Sequence, residues 1–357
     1  MNFNECEGST RAVITRRRKI DVFFPFNFSA SFSSGCPYKC VFCAAGRNGS
    51  SEVIAKLFNI EQIASECRML EKNSYLGIGG GPVEDLSDVH SHVRWEQFCA
   101  LLNSLSISPF ILCRYPGKTV IECLTGSFSP INATICKPVF IVSVFSADTK
   151  KNSEMEYDNV SFRERIKILE IFKGKGWITG LFVSPLMKGF NDSGEDIDNI
   201  FFAASGAADV IYFDYFSKYK APPKRIFPGS FYETSHDVGH EIMPHADKLH
   251  RYFLGNYQKY KIRPFLPLDA YQNLDNKSRI QILLERMYYL RLLDNNIRLS
   301  YLDAASRISL MSDAVFSDLL KTGKLQTIRG IGRKIEKMIY EFTKEDYTSF
   351  EPYGYGN

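Results

Sequence analysis

The sequence lacks an apolar run long enough to cross a lipid bilayer, and this absence argues against a transmembrane helix. The basic residues near its start, Arg16, Arg17 and Arg18, are not followed by the apolar stretch that marks a secretory signal. Internal repeats, low-complexity tracts and coiled-coil heptads are also missing. We therefore expect a globular cytoplasmic protein with no membrane partner.

The chain has little excess charge of either sign. Its 44 Lys and Arg against 40 Asp and Glu give a net charge of +4, which is too small to indicate a polyanionic partner. Hydrophobic residues make up 45% and charged residues 24%, as in an ordinary soluble protein. With 357 residues, the chain is long enough for one large domain and a smaller one, each with its own core.

The nine cysteines do not suggest disulfides. Their number is odd and no secretory signal is expected, so a reducing compartment is favoured over a disulfide framework. Six of the nine are scattered, mostly among apolar residues, where cysteine is most often a small buried hydrophobe. The other three occur together, at positions 36, 40 and 43.

Strand patterns and helix patterns alternate through the first two thirds of the chain. Continuous apolar runs at 139–146, 177–186 and 208–216 are typical of buried parallel strands. Residues 60–71 and 161–173 have the apolar spacing of helices. This alternation predicts an α/β fold, and we expect a partial (β/α)6 barrel of the TIM type with its site at the carboxyl ends of the strands.

The pattern changes at the proline-rich segment that begins with Ala221. Beyond it, a helix over 277–298 and further helices over 305–345 are predicted, so the barrel is followed by a C-terminal helical domain. The expected units are an N-terminal extension (1–30), the barrel (31–220), a loop-rich and helical region (221–304) and a helical module (305–350).

Three cysteines between Gly35 and Cys43 have the spacing CxxxCxxC. Structural zinc needs four ligands, usually from two pairs, and no second CxxC pair is present. An iron–sulfur cluster held by Cys36, Cys40 and Cys43 would instead leave one iron open to bind a substrate or cofactor.

The motif, with Phe42 just before its last cysteine, resembles the signature of the radical S-adenosylmethionine superfamily. The resemblance implies a [4Fe–4S] cluster whose open iron binds S-adenosylmethionine, with Phe42 close to the cofactor. It also implies an external electron donor such as flavodoxin or ferredoxin, whose electron leads to cleavage of the cofactor. The resulting 5′-deoxyadenosyl radical would abstract hydrogen from the substrate.

A glycine-rich loop follows one helix later, within Gly77 to Pro82. Its glycines are typical either of a tight turn or of a backbone that approaches a ligand closely. In the superfamily, a loop at this place binds the methionine amino group, so the resemblance implies cofactor contacts at Gly79, Gly80 and Gly81. The third of these stands where the family usually has an acidic residue.

Later segments are similar to the spore photoproduct lyase branch of the superfamily. This similarity implies cofactor contacts for Lys118, Ser143 and Arg165, whereas a buried strand and solvated helix charges are the alternative. A lyase of this branch also needs a thiol that donates hydrogen. Cys113 and Cys123 are candidates by location, with buried structural cysteine as the alternative interpretation.

Residues 325–339 have the spacing of a helix-hairpin-helix motif. Its glycines allow a tight turn in which Ile331 packs between two helices, and the start of the second helix can then bind phosphate. Such modules hold the nucleic-acid backbone without reading sequence, although a hairpin that only packs against the barrel is the alternative. The expected contact residues are Arg329, Gly330, Gly332, Arg333 and Lys334.

The sequence therefore predicts a radical enzyme that acts on nucleic acid, with DNA favoured and a repair or base-modifying reaction expected. A duplex target would have to be flipped out of the stack. The alternatives are a radical enzyme acting on RNA, a peptide or a small molecule, and a non-catalytic iron–sulfur protein that binds nucleic acid. A zinc site or a polar surface would account for four histidines, and we favour the surface; they are His236, His240, His245 and His250.

Overall fold

The computed structural model describes residues 14–16, 20, 22–30, 33–34, 40, 54–55, 60–79, 89–128, 136–156, 160–187, 189–215, 252–253, 255–271, 274–293 and 299–344. Within these ranges the strands form one seven-stranded sheet and one two-stranded sheet. In chain order they are β1 (Ile14–Arg16), β2 (Phe28–Ala30), β3 (Ser33–Ser34), β4 (Ile54–Ala55), β5 (Tyr75–Gly79), β6 (Ser108–Cys113), β7 (Val139–Val144), β8 (Ile178–Leu186) and β9 (Val210–Tyr215).

The large sheet is wound in one direction. Its order is β1-β2-β5-β6-β7-β8-β9, so each parallel strand lies next to the one before it in the chain. β2 and β5 to β9 are parallel, and only β1 runs antiparallel to its neighbour among the strands of this sheet that the structure describes. A doubly wound sheet would reverse its order at a switch point. The single direction confirms the predicted α/β fold as a partial (β/α)6 barrel.

Helices connect the parallel strands, and further helices follow the last strand. They are α1 (Ile60–Cys67), α2 (Val89–Ser104), α3 (Lys118–Ser127), α4 (Thr149–Met155), α5 (Phe162–Gly174), α6 (Gly194–Ala204), α7 (Asn276–Leu293), α8 (Leu299–Leu310), α9 (Asp313–Lys321) and α10 (Arg333–Lys344). None of these described helices combines the length and the apolar character needed to cross a bilayer.

The central strands are apolar because both of their faces are covered. In β7, Val139 to Val142 are completely buried. The ring of Phe140 stacks on that of Phe172 in α5, with centroids 3.9 Å apart. This is the environment in which parallel strands consist of continuous apolar residues rather than alternating ones.

The segment before β2, residues 22–27, contacts β9 at the opposite end of the strand order. The ring of Phe23 packs edge-on against Tyr212 of β9 and Tyr289 of α7, with centroids 5.1 Å apart in both pairs. The backbone N–H of Val22 donates to Glu285 Oε2 of α7 at 2.9 Å. Contact between residues next to β2 and the distant strand β9 is what a curved sheet requires.

The helices α8, α9 and α10 all pack against α7. α9 and α10 are joined by a turn in which Gly330 has φ +92°, a conformation that favours glycine. A Cβ at this position would lie 2.8 Å from the backbone oxygen of Ser300, so the turn sits directly against α8. Ile331 and Ile335 are buried beneath it.

The structure differs from the expected units at two boundaries. β1 and β2 belong to the large sheet although they fall inside the expected extension 1–30, and α8 begins at Leu299, before the expected module. β2 is three residues long and contains a serine, so it offers no apolar run from which pairing with β5 could be inferred. The helix predicted over 277–298 is observed as α7 up to Leu293, and residues 294–298 lie outside the described residues.

Candidate active site

The register of the strands brings several predicted site residues to one edge of the sheet. Gly79 at the end of β5 is paired with Leu112, and Cys113 at the end of β6 is paired with Val142. Ser143 of β7 is paired with Phe182 in the next strand. The carboxyl ends of these strands therefore meet, as they do around the site of a (β/α) barrel.

Cys40 lies at this edge and is buried. Its sulfur accepts a hydrogen bond from Nη1 of Arg114, the residue that directly follows β6. Cys36, Phe42 and Cys43 lie outside the described residues, and so do Gly80 and Gly81. Within the described ranges, no group of three His, Cys, Asp or Glu side chains comes together.

A buried network of charges extends from Arg114. Its Nη2 lies 2.7 Å from Glu156 Oε2, and Nη2 of Arg165 donates to the same oxygen at 2.7 Å. The exposed fractions of the three residues are 7% for Arg114, 4% for Glu156 and 1% for Arg165. A single carboxylate oxygen thus joins two guanidinium groups, one of which contacts Cys40.

The first turn of α5 positions Arg165. The side chain of Ser161 caps this helix by accepting from the N–H of Glu164, whose own carboxylate accepts from the N–H of Ser161. Such a reciprocal pair fixes where a helix begins. Hydrogen bonds from Ser161 lower the pKa of Glu164, because they favour its ionised form.

Buried Asn191 holds the neighbouring strand ends together. Its Nδ2 donates to the backbone oxygens of Phe145, after β7, and of Pro185, in β8, at 2.9 and 3.0 Å. Its Oδ1 accepts from the N–H of Met187 at 2.7 Å. The loops at this edge are therefore fixed by side chain to backbone hydrogen bonds.

The predicted cofactor-contacting side chains occupy different environments. Arg165 is buried and donates to the backbone oxygen of Ser143 at 3.1 Å as well as to Glu156, so the structure brings Arg165 and Ser143 together. Lys118 begins α3, and its side chain is 89% exposed and 3.8 Å from Glu122. Its amino group extends into solvent rather than into the buried network.

The two candidate hydrogen donors also lie apart. Cys113 ends β6 at the carboxyl edge, and burial raises the pKa of its thiol, while the nearby Arg165 charge opposes this effect. Cys123 lies on α3 near Cys99 of α2. Burial also raises the pKa of the Cys123 thiol. Of the two, Cys113 is the one at the strand ends.

Arg114 and Glu156 were not among the predicted site residues. Arg114 could have been predicted from the sequence, because a charged residue directly after a buried strand is expected at the carboxyl edge of the sheet. Glu156 could not have been predicted, since it follows a short helix with no apolar pattern. Its role becomes visible only when the loop after β7 is folded over the strand ends.

The environment of Cys40 suits a thiolate ligand of a metal centre. Cysteine ligates metals as the thiolate, which a neighbouring guanidinium stabilises. The contact between Arg114 and Cys40 provides such a neighbour. The residues at this edge are therefore compatible with the cluster that the CxxxCxxC motif predicts.

The second predicted surface lies on the C-terminal helices. Arg329 is 80% exposed and 3.4 Å from Asp303, and Arg333 and Lys334 are exposed at the start of α10. A Cβ at Gly332 would have no atom within 4 Å. This corner is thus basic and open, whereas the neighbouring Gly330 is packed against α8.

No protein-family model matches the chain, and no curated protein matches it either. Among solved structures, spore photoproduct lyase with a dinucleoside spore photoproduct is 14% identical, with a TM-score of 0.48 over 69% of this chain and 77% of that one. Methylornithine synthase is 13% identical, with a TM-score of 0.40 over 75% and 62%.

A third solved structure is a radical S-adenosylmethionine methyltransferase from Kitasatospora setae with cobalamin and a [4Fe–4S] cluster. It is 11% identical, with a TM-score of 0.40 over 52% of this chain and 34% of that one. With TM-scores below 0.5, these likenesses assign neither an activity nor a ligand to this chain.

Proposed function

We propose that this protein is a radical S-adenosylmethionine enzyme that acts on nucleic acid, with DNA as the favoured substrate. The observation that carries the proposal is the position of Cys40. It belongs to a CxxxCxxC motif and is buried at the carboxyl edge of a partial barrel, against the guanidinium of Arg114. In a (β/α) barrel this edge is where reactions take place.

Cys36, Cys40 and Cys43 would hold a [4Fe–4S] cluster with one open iron. When bound, the cluster and S-adenosylmethionine together would supply a one-electron cleavage of the bond between sulfur and the 5′ carbon, which yields methionine, 5′-deoxyadenosine and a substrate that has lost a hydrogen atom. The backbone of Gly79, and of the two glycines after it, would lie close to the cofactor. An electron donor of the flavodoxin or ferredoxin type would supply the electron.

The rest of the edge would hold the reacting groups in place and exclude water. Asn191 fixes the ends of β7 and β8, and the ion pair of Glu156 with Arg165 holds Arg114, which contacts Cys40. Cys113 keeps its proton at neutral pH because burial raises its pKa. A protonated thiol at the strand ends can donate a hydrogen atom, and we include Cys113 in the proposal in that role.

The basic corner of α10 supports nucleic acid as the substrate. Arg329, Arg333 and Lys334 surround a helix start that is open to solvent. Cations and helix amino termini attract phosphate without reading sequence. A repair or base-modifying reaction on DNA would combine this backbone contact with a nucleotide turned out of the stack toward the strand ends.

The test is an anaerobic assay of the full chain. The cluster is reconstituted, dithionite and S-adenosylmethionine are added, and 5′-deoxyadenosine is measured with and without DNA. We expect 5′-deoxyadenosine, with an increase when DNA is present. An intact cluster, seen by electron paramagnetic resonance, that yields no 5′-deoxyadenosine would contradict the enzyme and favour a binding protein.

The substrate class is tested separately by DNA binding at increasing salt. Replacing Arg329, Arg333 and Lys334 by Gln should weaken binding and lower the salt slope by about 0.9 for each phosphate that is no longer neutralised. The matched control replaces three exposed lysines of the barrel, Lys137, Lys167 and Lys175, and should leave the slope unchanged. Equal effects in both triple variants would mean that DNA binding depends only on the net charge of the protein.

A further inference from the structure

The network beside Cys40 consists of three buried charged side chains. Arg114 and Arg165 contribute two positive charges and Glu156 one negative charge, and all three side chains are more than nine-tenths buried. Charge removed from water is costly unless it is compensated nearby. The sulfur of Cys40 accepts a hydrogen bond from Arg114 and therefore lies directly beside this buried charge.

Each group in this network restricts the next one. Glu156 Oε2 contacts Nη2 of Arg114 and Nη2 of Arg165, both at 2.7 Å. Arg165 is fixed in turn by the backbone oxygens of Ser143 and Val160, at 3.1 and 3.4 Å. The guanidinium of Arg114 is therefore held from one side by Glu156 while it donates to Cys40 from the other.

We propose that Arg114 is a positioning residue that donates to the sulfur of a cluster ligand and raises the reduction potential of the cluster, with Glu156 holding it and weakening its charge. This inference rests on the proposed cluster at Cys36, Cys40 and Cys43. The potential of an iron–sulfur cluster depends on net charge and on hydrogen bonds to its sulfurs. A cation that donates to a ligand sulfur favours the reduced state, which carries one more electron, taken up from the external one-electron donor.

The experiment is a redox titration of the reconstituted full chain, followed by electron paramagnetic resonance. Arg114→Gln should shift the midpoint to a more negative potential, because it removes the charge beside Cys40. Arg114→Lys, which keeps the charge, should shift it less. Glu156→Gln has nearly the same shape as the native side chain and should shift the midpoint in the opposite direction, because it leaves the charge of Arg114 less compensated.

The matched control is Arg163→Gln. Arg163 is exposed on α5, two residues from Arg165, so the same loss of charge there is screened by water and should leave the midpoint unchanged. Iron content of every variant is measured in parallel. If the network were purely structural, the substitutions would change iron content or stability. They would not shift the midpoints of Arg114→Gln and Glu156→Gln in opposite directions.

A native midpoint in Arg114→Gln with a full complement of iron would overturn the inference. If that variant loses its iron, the midpoints of Arg114→Lys and Glu156→Gln provide the test. Native midpoints in both of these variants would also overturn the inference. A wild type that holds a cluster but makes no 5′-deoxyadenosine contradicts the proposed enzyme and leaves this titration valid. A wild type that holds no cluster contradicts both.

Discussion

Glu156 Oε2 lies 2.7 Å from Nη2 of Arg165, and both side chains are almost completely withdrawn from solvent. Removing one partner of a buried ion pair leaves the other charge uncompensated. We therefore expect Glu156→Ala to lower the free energy of unfolding by about 3–5 kcal/mol. Urea unfolding at neutral pH measures this loss.

The control for that prediction is an ion pair on the surface. Glu341 lies 3.6 Å from Lys337 on α10, and both side chains are largely exposed. Glu341→Ala should cost less than about 1 kcal/mol. Similar losses at the two sites would mean that the Glu156 carboxylate is solvated in the folded protein.

The two glycines of the C-terminal turn should respond differently to alanine. Gly330→Ala places a Cβ 2.8 Å from the oxygen of Ser300 at φ +92°, and should destabilise the protein by about 1–3 kcal/mol. Gly332→Ala meets open space and should stay within about 0.5 kcal/mol. DNA binding by Gly332→Ala should nevertheless weaken roughly tenfold, or about 1.4 kcal/mol, because the methyl group keeps phosphate away from the backbone.

Binding and stability are therefore measured on both variants. Thermal unfolding reports on the turn, and fluorescence anisotropy with labelled duplex DNA reports on the surface. Native DNA affinity in Gly332→Ala would remove the helix start from the proposed interface. It would leave the side chains of Arg329, Arg333 and Lys334 as the remaining candidates.

Cys40→Ser should abolish cluster assembly while the protein stays folded. Serine is a poor substitute for a thiolate ligand, so the reconstituted variant should lack the bound iron and the visible absorbance of the wild type. Cys67→Ala is the control, because that thiol is buried on α1. It should cost on the order of 1 kcal/mol of stability and leave iron content unchanged. Full iron loading of Cys40→Ser would remove Cys40 from the ligand set.

Stability should fall at alkaline pH in a way that depends on Cys99. Burial, reinforced by the nearby Cys123, raises the pKa of Cys99 from 9.0 to about 12. Between these values the unfolded chain loses a proton that the folded protein keeps. The contribution of Cys99 to stability is therefore fully present below pH 9 and declines above it, by about 1.4 kcal/mol per pH unit.

The measurement compares urea unfolding of the wild type and Cys99→Ala from pH 8 upward. The variant should be less stable at pH 8, and its stability should fall less steeply as the pH rises. Parallel curves for the two proteins would mean that the thiol ionises equally easily in the folded and unfolded states.

The sequence was sufficient to predict the central strands of the sheet, because they are buried on both faces. The run that contains β7 is apolar from Val139 to Phe145 except at Ser143, and the predicted range 139–146 differs from the observed strand by two residues at one end. The pattern at 60–71 likewise contains α1, which ends earlier, at Cys67. Ends of elements depend on capping and tertiary contacts that periodicity does not record.

The site was predictable only where a motif defines it. The spacing of Cys36, Cys40 and Cys43 indicates a shared metal centre without any structure. Glu156 could not be found in this way, because its importance comes from two guanidinium groups that approach it from positions 114 and 165. Such a convergence depends on the path of loops across the strand ends, and no local pattern encodes it. The proposed roles of the remaining site residues stay predictions.

The hydrogen bond between Val22 and Glu285 joins residues that are 263 positions apart. During synthesis, the segment that leads into the first parallel strand therefore leaves the ribosome long before its partner in α7 has been made. Contacts of such long sequence separation slow folding, because a long loop must close before they form. Until then the ring of Phe23 lacks its partner ring at Tyr289, and apolar surface of this kind makes a partly folded chain prone to aggregation.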